Sequence, residues 1–139
     1  METVSDAKEM VKKMNPELRE GKYFIASVDQ SQLMTLSGYL QYIISIYREE
    51  EGLTTVFSEP LKEIVEGLTK EKIVGPFGMI TLNVYSDLMG IGLLKEVTEA
   101  LAKEKISVNA FSAYHHDHLF VPYDRKDDAV NALKELQKS

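Results

Sequence analysis

Apolar and polar positions alternate along this chain with two different periods, and the switches between them mark its elements. Val4, Ala7, Val11 and Met14 share one face at helical spacing, which predicts a helix over 3–14. Pro16 ends it by disfavouring helix at Asn15. Tyr23–Val28 has the period of a strand, with Phe24, Ala26 and Val28 on one side and Tyr23, Ile25 and Ser27 on the other. Leu33, Leu36 and Leu40 suggest a short helix in 31–40, weakened by Gly38. Tyr42–Tyr47 and Leu53–Phe57 are rich in β-branched and aromatic residues. The polar link Arg48-Glu49-Glu50-Glu51-Gly52 makes them a hairpin. Pro60–Leu68 is expected to be helical, with Leu61, Ile64, Val65 and Leu68 on one face.

The same order of periods then recurs. Met79–Tyr85 alternates, with Ile80, Leu82 and Val84 facing one way. Leu93, Leu94, Val97, Ala100 and Leu101 form the stripe of a helix over 92–105. Ser107–Ala113 and Leu119–Pro122 read as strands around a histidine-rich turn. Asp124, with Asp127 three residues on, predicts the N-cap of a last helix that buries Ala129, Val130, Leu133 and Leu136. The repetition lies in the elements rather than in the letters. An α+β architecture follows, split βαβ in layout, with helices on one face of an antiparallel sheet. The expected division is 1–74, an N-terminal helix plus a first unit, and 75–139, a second unit. Lys72–Val74 supplies the first unit's fourth strand. The second has almost no chain left after Gln137, so it is expected to be three-stranded or to borrow a strand.

Composition narrows the function classes. The 139 residues suffice for one ordinary domain or two very small ones sharing a core. With 44% hydrophobic and 27% charged residues the chain is of ordinary globular type. It contains no cysteine, which excludes thiol catalysis and thiolate metal sites. No apolar run approaches the roughly 20 residues of a membrane helix, and METVSDAKEMVKKM lacks a signal core. The expectation is a cytoplasmic protein without membrane association. A net charge of −6 with scattered basic residues argues against nucleic acid. Two half-size units leave an exposed sheet edge, so a homodimer is expected.

The run Thr81–Ile106 carries the most specific chemistry. It joins a strand, a short polar loop with Gly90 and Gly92, and an amphipathic helix. Free N–H groups at such a helix start suit a carboxylate. Ser86 and Asp87 suit an ammonium or cap the helix, and Asn109 on the next strand is a further polar candidate. A capped helix start with glycines serving loop geometry is the plainer alternative. The histidines are confined to Tyr114-His115-His116-Asp117-His118. On a strand His116 and His118 point one way, with His115 and Asp117 opposite, so one hairpin offers at most two aligned metal ligands where a closed site needs about four. Glu49, Glu50 and Glu51 read as a solvated corner. No strained serine turn, phosphate loop or dinucleotide fingerprint is present.

Met14-Asn15-Pro16-Glu17-Leu18, Arg48-Glu49-Glu50-Glu51-Gly52-Leu53-Thr54, Ile80-Thr81-Leu82-Asn83-Val84-Tyr85-Ser86 and His116-Asp117-His118-Leu119-Phe120-Val121-Pro122, together with Gly92 and Leu93, resemble the ACT domain family, in particular small stand-alone proteins with two tandem ACT units. The resemblance covers nearly the whole chain. It implies tandem ferredoxin-like βαββαβ units and regulatory binding of an amino acid or related metabolite at the seam between units. It places the ligand between the loop Ser86, Asp87, Leu88, Met89, Gly90, Ile91 and Gly92 and a strand at Asn109, Ala110 and Phe111. The hairpin of Glu51 and Thr54 contributes from the first half. Where the family often has a Pro-Gly-like turn this chain has Met89-Gly90-Ile91-Gly92. No catalytic residue and no cofactor is implied. The resulting expectation is a non-catalytic amino acid sensor. Its rivals are a metal-binding protein or enzyme built on His115, His116 and His118, and a protein-interaction module.

Overall fold

The computed structural model describes residues 6–85 and 87–139. Its elements are α1 (Ala7–Lys13), β1 (Glu17–Leu18), β2 (Tyr23–Val28), α2 (Leu33–Ser37), β3 (Ile43–Glu49), β4 (Gly52–Ser58), α3 (Lys62–Glu66), β5 (Val74–Leu82), α4 (Leu93–Lys103), β6 (Asn109–Ser112), β7 (Asp117–Pro122) and α5 (Lys126–Lys138). The fold is α+β and ferredoxin-like. Two compact units divide it: Gly21–Phe77, and the N-terminal residues through Glu20 together with Gly78–Ser139. The second unit is thus discontinuous in sequence and differs from a cut at 74/75.

In the unit Gly21–Phe77 the strands lie in the order β3-β4-β2-β5. β2 and β4 pair antiparallel from Tyr23↔Ser58 to Val28↔Leu53, and the β3–β4 hairpin closes at Glu49↔Gly52. Gly52 has φ +152, and a Cβ there would stand 2.5 Å from the Val28 carbonyl oxygen, so glycine is required at this corner. The alternating set Phe24, Ala26 and Val28 packs with Leu53, Phe57, Leu36, Leu61 and Val65 as the core. The anticipated helical face of 31–40 is only partly present. Leu36 is buried, but Leu33 and Leu40 are 49% and 61% exposed. The helix stops at Ser37, and a 3₁₀ turn over Leu40–Tyr42 breaks the register that would have aligned Leu40. α3 is likewise shorter than 60–68, preceded by a 3₁₀ turn that holds Pro60.

The other unit orders its strands β1-β5-β7-β6. This matches the first unit if β1 is counted as the last strand of the motif. α5 runs to Lys138, no strand follows it among the described residues, and the missing strand comes from the opposite end of the chain. β1 pairs with β5 at Glu17↔Thr81 and Leu18↔Ile80. Met10, Val11 and Met14 of the N-terminal segment share a core with Ile80, Leu82, Val97, Leu101, Leu119, Val121, Ala129 and Leu133. That burial is what binds residues before Glu20 to this unit. β5 starts at Val74, before the expected Met79. Its first residues pair with β2 (Phe77↔Tyr23, Val74↔Ile25) and complete the first unit; of the expected Lys72–Val74 only Val74 belongs to the strand. It ends at Leu82 rather than Tyr85 because Asn83 turns to the N-terminal segment. Its backbone N–H donates to the Met14 carbonyl, and its Nδ2 to the Asn15 carbonyl (3.2 Å) and Glu17 Oε1 (3.0 Å).

Helix ends depart from the sequence reading in informative ways. Asp6 caps α1 by accepting from Glu9 N (3.1 Å); residues 3–5 of the expected helix lie outside the described residues. Asp124 does not cap α5. A 3₁₀ turn over Tyr123–Arg125 takes it up, α5 starts at Lys126, and Arg125 Nε donates to Asp128 Oδ2 at 3.0 Å. α4 buries Leu93, Val97 and Leu101 and ends in a Schellman arrangement. Ile106 N donates to the Leu101 carbonyl (3.0 Å), Lys105 N to that of Ala102 (2.9 Å), and Lys105 sits at φ 58.

Candidate functional site

The link from β5 to α4 folds as a tight polar loop. Asp87 organises it twice: its carbonyl accepts from Gly90 N (2.8 Å) and its Oδ1 from Met89 N (2.9 Å). Such Asx geometry is a local property of aspartate next to small residues. Gly92 then takes φ +105 at the N-cap of α4, and among the described residues its own position offers no side-chain cap hydrogen bond. The first intrahelical bond runs from Glu96 N to the Gly92 carbonyl at 3.0 Å. The N–H groups of Leu93, Leu94 and Lys95 therefore have no partner within the helix, and the positive end of the helix dipole faces the loop.

A cavity of about 150 Å³ lies at this corner, lined by Asp87, Leu88, Gly90, Gly92, Leu93, Leu94, Lys95, Met10, Ser112 and Asp117. Its walls come from the loop, the first turn of α4, the buried face of α1 and the neck of the β6–β7 hairpin. Ser112 and Asp117 are directly paired across that hairpin. Asp117 is only 7% exposed. A lining that includes two aspartates beside the first turn of a helix suits a ligand that carries both signs of charge.

Of the residues expected from sequence, the structure brings Asp87, Leu88, Gly90 and Gly92 to this cavity. Ser86 lies outside the described residues. Met89 and Ile91 are 86% and 84% exposed and do not line it. Nor do Asn109, Ala110 and Phe111. Strand alternation places Asn109 and Phe111 on the sheet face of His118 and Phe120, where the Phe111 and Phe120 rings meet edge to face at 5.3 Å. Glu51 and Thr54 belong to the unit Gly21–Phe77. The Thr54 hydroxyl donates to the Glu49 carboxylate. Glu51 lines a separate cavity of about 310 Å³ with Ser27, Asp29, Gln32, Thr69 and Lys70. The Asp29 carboxyl there titrates below its usual range because the Ser31 hydroxyl and N–H stabilise the anion. Six lining residues were not among those expected from sequence: Met10, Leu93, Leu94, Lys95, Ser112 and Asp117. The available signal was the placement of two small polar residues at the neck of one hairpin, with Asp117 read as a turn residue rather than the first residue of β7.

A larger groove of about 670 Å³ runs between α4 and α5, but its charges pair locally: Lys103 with Glu99 (3.5 Å) and Arg125 with Asp128 (3.0 Å). The histidines likewise have structural partners. His116 Nδ1 lies 3.4 Å from the Val84 carbonyl, and its ring packs on Tyr85 at 4.8 Å. His118 Nδ1 lies 3.0 Å from Thr81 Oγ1. Among the described residues no group of three or more His, Asp or Glu side chains is placed to hold a metal ion. His118 titrates below the ordinary histidine value, chiefly because burial disfavours the cation, and further because His116 and Arg19 are near; Asp117 opposes them. No helix among the described residues is long and apolar enough to cross a membrane.

Comparison with known proteins adds to this geometry. A family model described as ACT domain matches residues 74–135, which span the loop, α4 and the β6–β7 hairpin. Among solved structures, a Vibrio cholerae protein described as of unknown function and a possible transport protein is 34% identical, with a TM-score of 0.73, covering 94% of this chain and 96% of that one. The regulatory subunit of aspartate kinase from Thermus flavus superposes with a TM-score of 0.63 at 8% identity, covering 87% of this chain and 95% of that one. Aspartokinase III of E. coli, solved with aspartate and ADP, has a TM-score of 0.66 at 14% identity, covering 89% of this chain and 33% of that one. The latter two likenesses concern the fold. No curated protein sequence matches significantly.

Proposed function

Because the chain belongs to the ACT domain family, we propose that it is a non-catalytic regulatory protein whose second unit binds an amino acid at the start of α4. A regulatory, ligand-binding role agrees with the family and with the regulatory subunits that share the fold. The observation that carries the finer reading is the cavity of about 150 Å³, whose lining includes Asp87, Asp117 and the first turn of α4. A carboxylate of the ligand would accept from the N–H groups of Leu93, Leu94 and Lys95, and its ammonium would donate to Asp87. The size of the space favours a small side chain. The tandem arrangement, a homodimer and a cytoplasmic setting complete the proposal. The matching strand order of the two units supports the tandem arrangement.

Isothermal titration against the common amino acids tests this. Saturable binding that weakens at least about tenfold in Asp87→Asn supports it, since an ammonium–carboxylate contact is worth on the order of 1.5–3 kcal/mol. Asparagine can still accept from Met89 N, so the loop turn survives the change. Folded protein that binds none of them at millimolar concentration would sink the reading.

A further inference from the structure

Arg19, Thr81 and His118 form a hydrogen-bonded chain across three neighbouring strands of one unit. Arg19 follows β1 directly, Thr81 lies on β5 and His118 on β7. Arg19 Nε donates to Thr81 Oγ1 at 3.1 Å, and Thr81 Oγ1 lies 3.0 Å from His118 Nδ1. A guanidinium only donates, so the Thr81 oxygen accepts from Arg19, and a hydroxyl can at the same time donate its own proton. The arrangement in which that proton goes to His118 has an unprotonated Nδ1, the Nε2–H tautomer of a neutral imidazole. Thr81 is fully buried, so water cannot replace either partner.

We propose that this chain is a proton-sensitive latch that fastens the N-terminal segment, α1 and β1, onto its unit. β1 is held by a very short ladder, Glu17↔Thr81 and Leu18↔Ile80, extended by Arg19 N donating to the Met79 carbonyl at 2.8 Å. A proton on Nδ1 of His118 turns the acceptor into a donor. Thr81 would then face two cationic donors while its own proton lost its acceptor in a buried place. Arg19 is the partner free to leave, because its side chain is 43% exposed and Glu17 Oε2 already stands 3.6 Å from its Nη1. Its departure removes a side-chain tie between β1 and the rest of the sheet. Met10 of the same segment is a wall of the cavity at the start of α4, so release of the latch would loosen that wall. The latch does not depend on what the cavity binds.

The charges around His118 come from every side of the strand. On β7 itself Asp117 favours the proton and His116 opposes it. At the end of β1, Arg19 opposes it, while Glu17 is engaged with Arg19 and with Asn83 Nδ2. β5 presents the neutral Thr81, and β6 presents Phe111 opposite His118. Burial is the largest influence and also acts against the cation.

Imidazole ¹⁵N spectroscopy and amide exchange on the full chain test the proposal. The expected result is an Nε2–H tautomer for neutral His118. With exchange corrected for its intrinsic pH dependence, the Arg19 amide should lose protection severalfold or more as the pH falls from about 7.5 to about 5, the range in which imidazoles take up a proton. Amides of β4 in the other unit serve as the control and should lose less. Thr81→Ser should keep the wild-type titration of His118, and Thr81→Val should raise its midpoint and flatten the response of Arg19. An Nδ1–H tautomer in the wild type, or Arg19 protection indifferent to pH, would overturn the latch. Both of these readings need only the unmodified protein, so poor folding of Thr81→Val leaves the test intact.

Discussion

Gly92 and Ala7 meet where α4 begins: a Cβ built on Gly92 would lie 2.9 Å from the Cβ of Ala7. The loop that opens the candidate site is thus fitted against the N-terminal helix, and the glycine that permits the fit also has φ +105. One residue satisfies both a backbone conformation and a close approach.

Gly92→Ala is therefore expected to cost about 1–2 kcal/mol from the left-handed backbone together with the crowding of Ala7. Urea denaturation of the single variant and of Gly92→Ala combined with Ala7→Gly separates the two causes. The double variant should recover part of the loss, because the contact is relieved and the backbone strain is not.

Lys105 occupies the left-handed position at the end of α4 with φ 58. Glycine is the favoured residue there, so Lys105→Gly should raise stability by about 1 kcal/mol. A rise in the midpoint of urea unfolding without a change in slope is the expected readout.

Thr55 is fully buried beside the first unit's core, and its Oγ1 has no hydrogen-bond partner among the described residues. An unsatisfied hydroxyl costs on the order of 1–3 kcal/mol. Thr55→Val retains the branched shape and should stabilise the protein in thermal unfolding. A loss of stability would show that the hydroxyl has a partner in solution.

His118 titrates below its unfolded value, so the unfolded chain takes up the proton first. Stability should be independent of this group above about pH 7, then fall as pH is lowered through about 6.5 and toward the folded midpoint. Comparing urea unfolding of wild type and His118→Gln across that range isolates the contribution. The wild type should lose more stability on acidification than the variant.

Much of this fold could be read from periodicity because its strands have one buried face. The alternation of Phe24, Ala26 and Val28, and the stripe of Leu93, Val97 and Leu101, are written directly in residue type. Pairing partners distant in sequence were not legible in that way. Nothing local marks Glu17–Leu18 as a strand, since its two residues become one only through pairing with Thr81 and Ile80. The same limit applies to the site. The loop Asp87–Gly92 announces itself by its glycines, whereas Met10 and Ser112 reach the cavity through tertiary packing. Asn109 has the right polarity for a ligand but stands one residue out of phase with Ala110 and Ser112, and a single step along a strand changes the face.

Amide chemical-shift mapping during titration with an amino acid addresses the central claim most directly, because it reports binding and place together. The account predicts saturable shifts concentrated at Gly90–Lys95, Ser112 and Asp117, diminished in Asp87→Asn. Saturable shifts that leave these residues untouched, or no shifts from a folded sample at millimolar ligand, would contradict it.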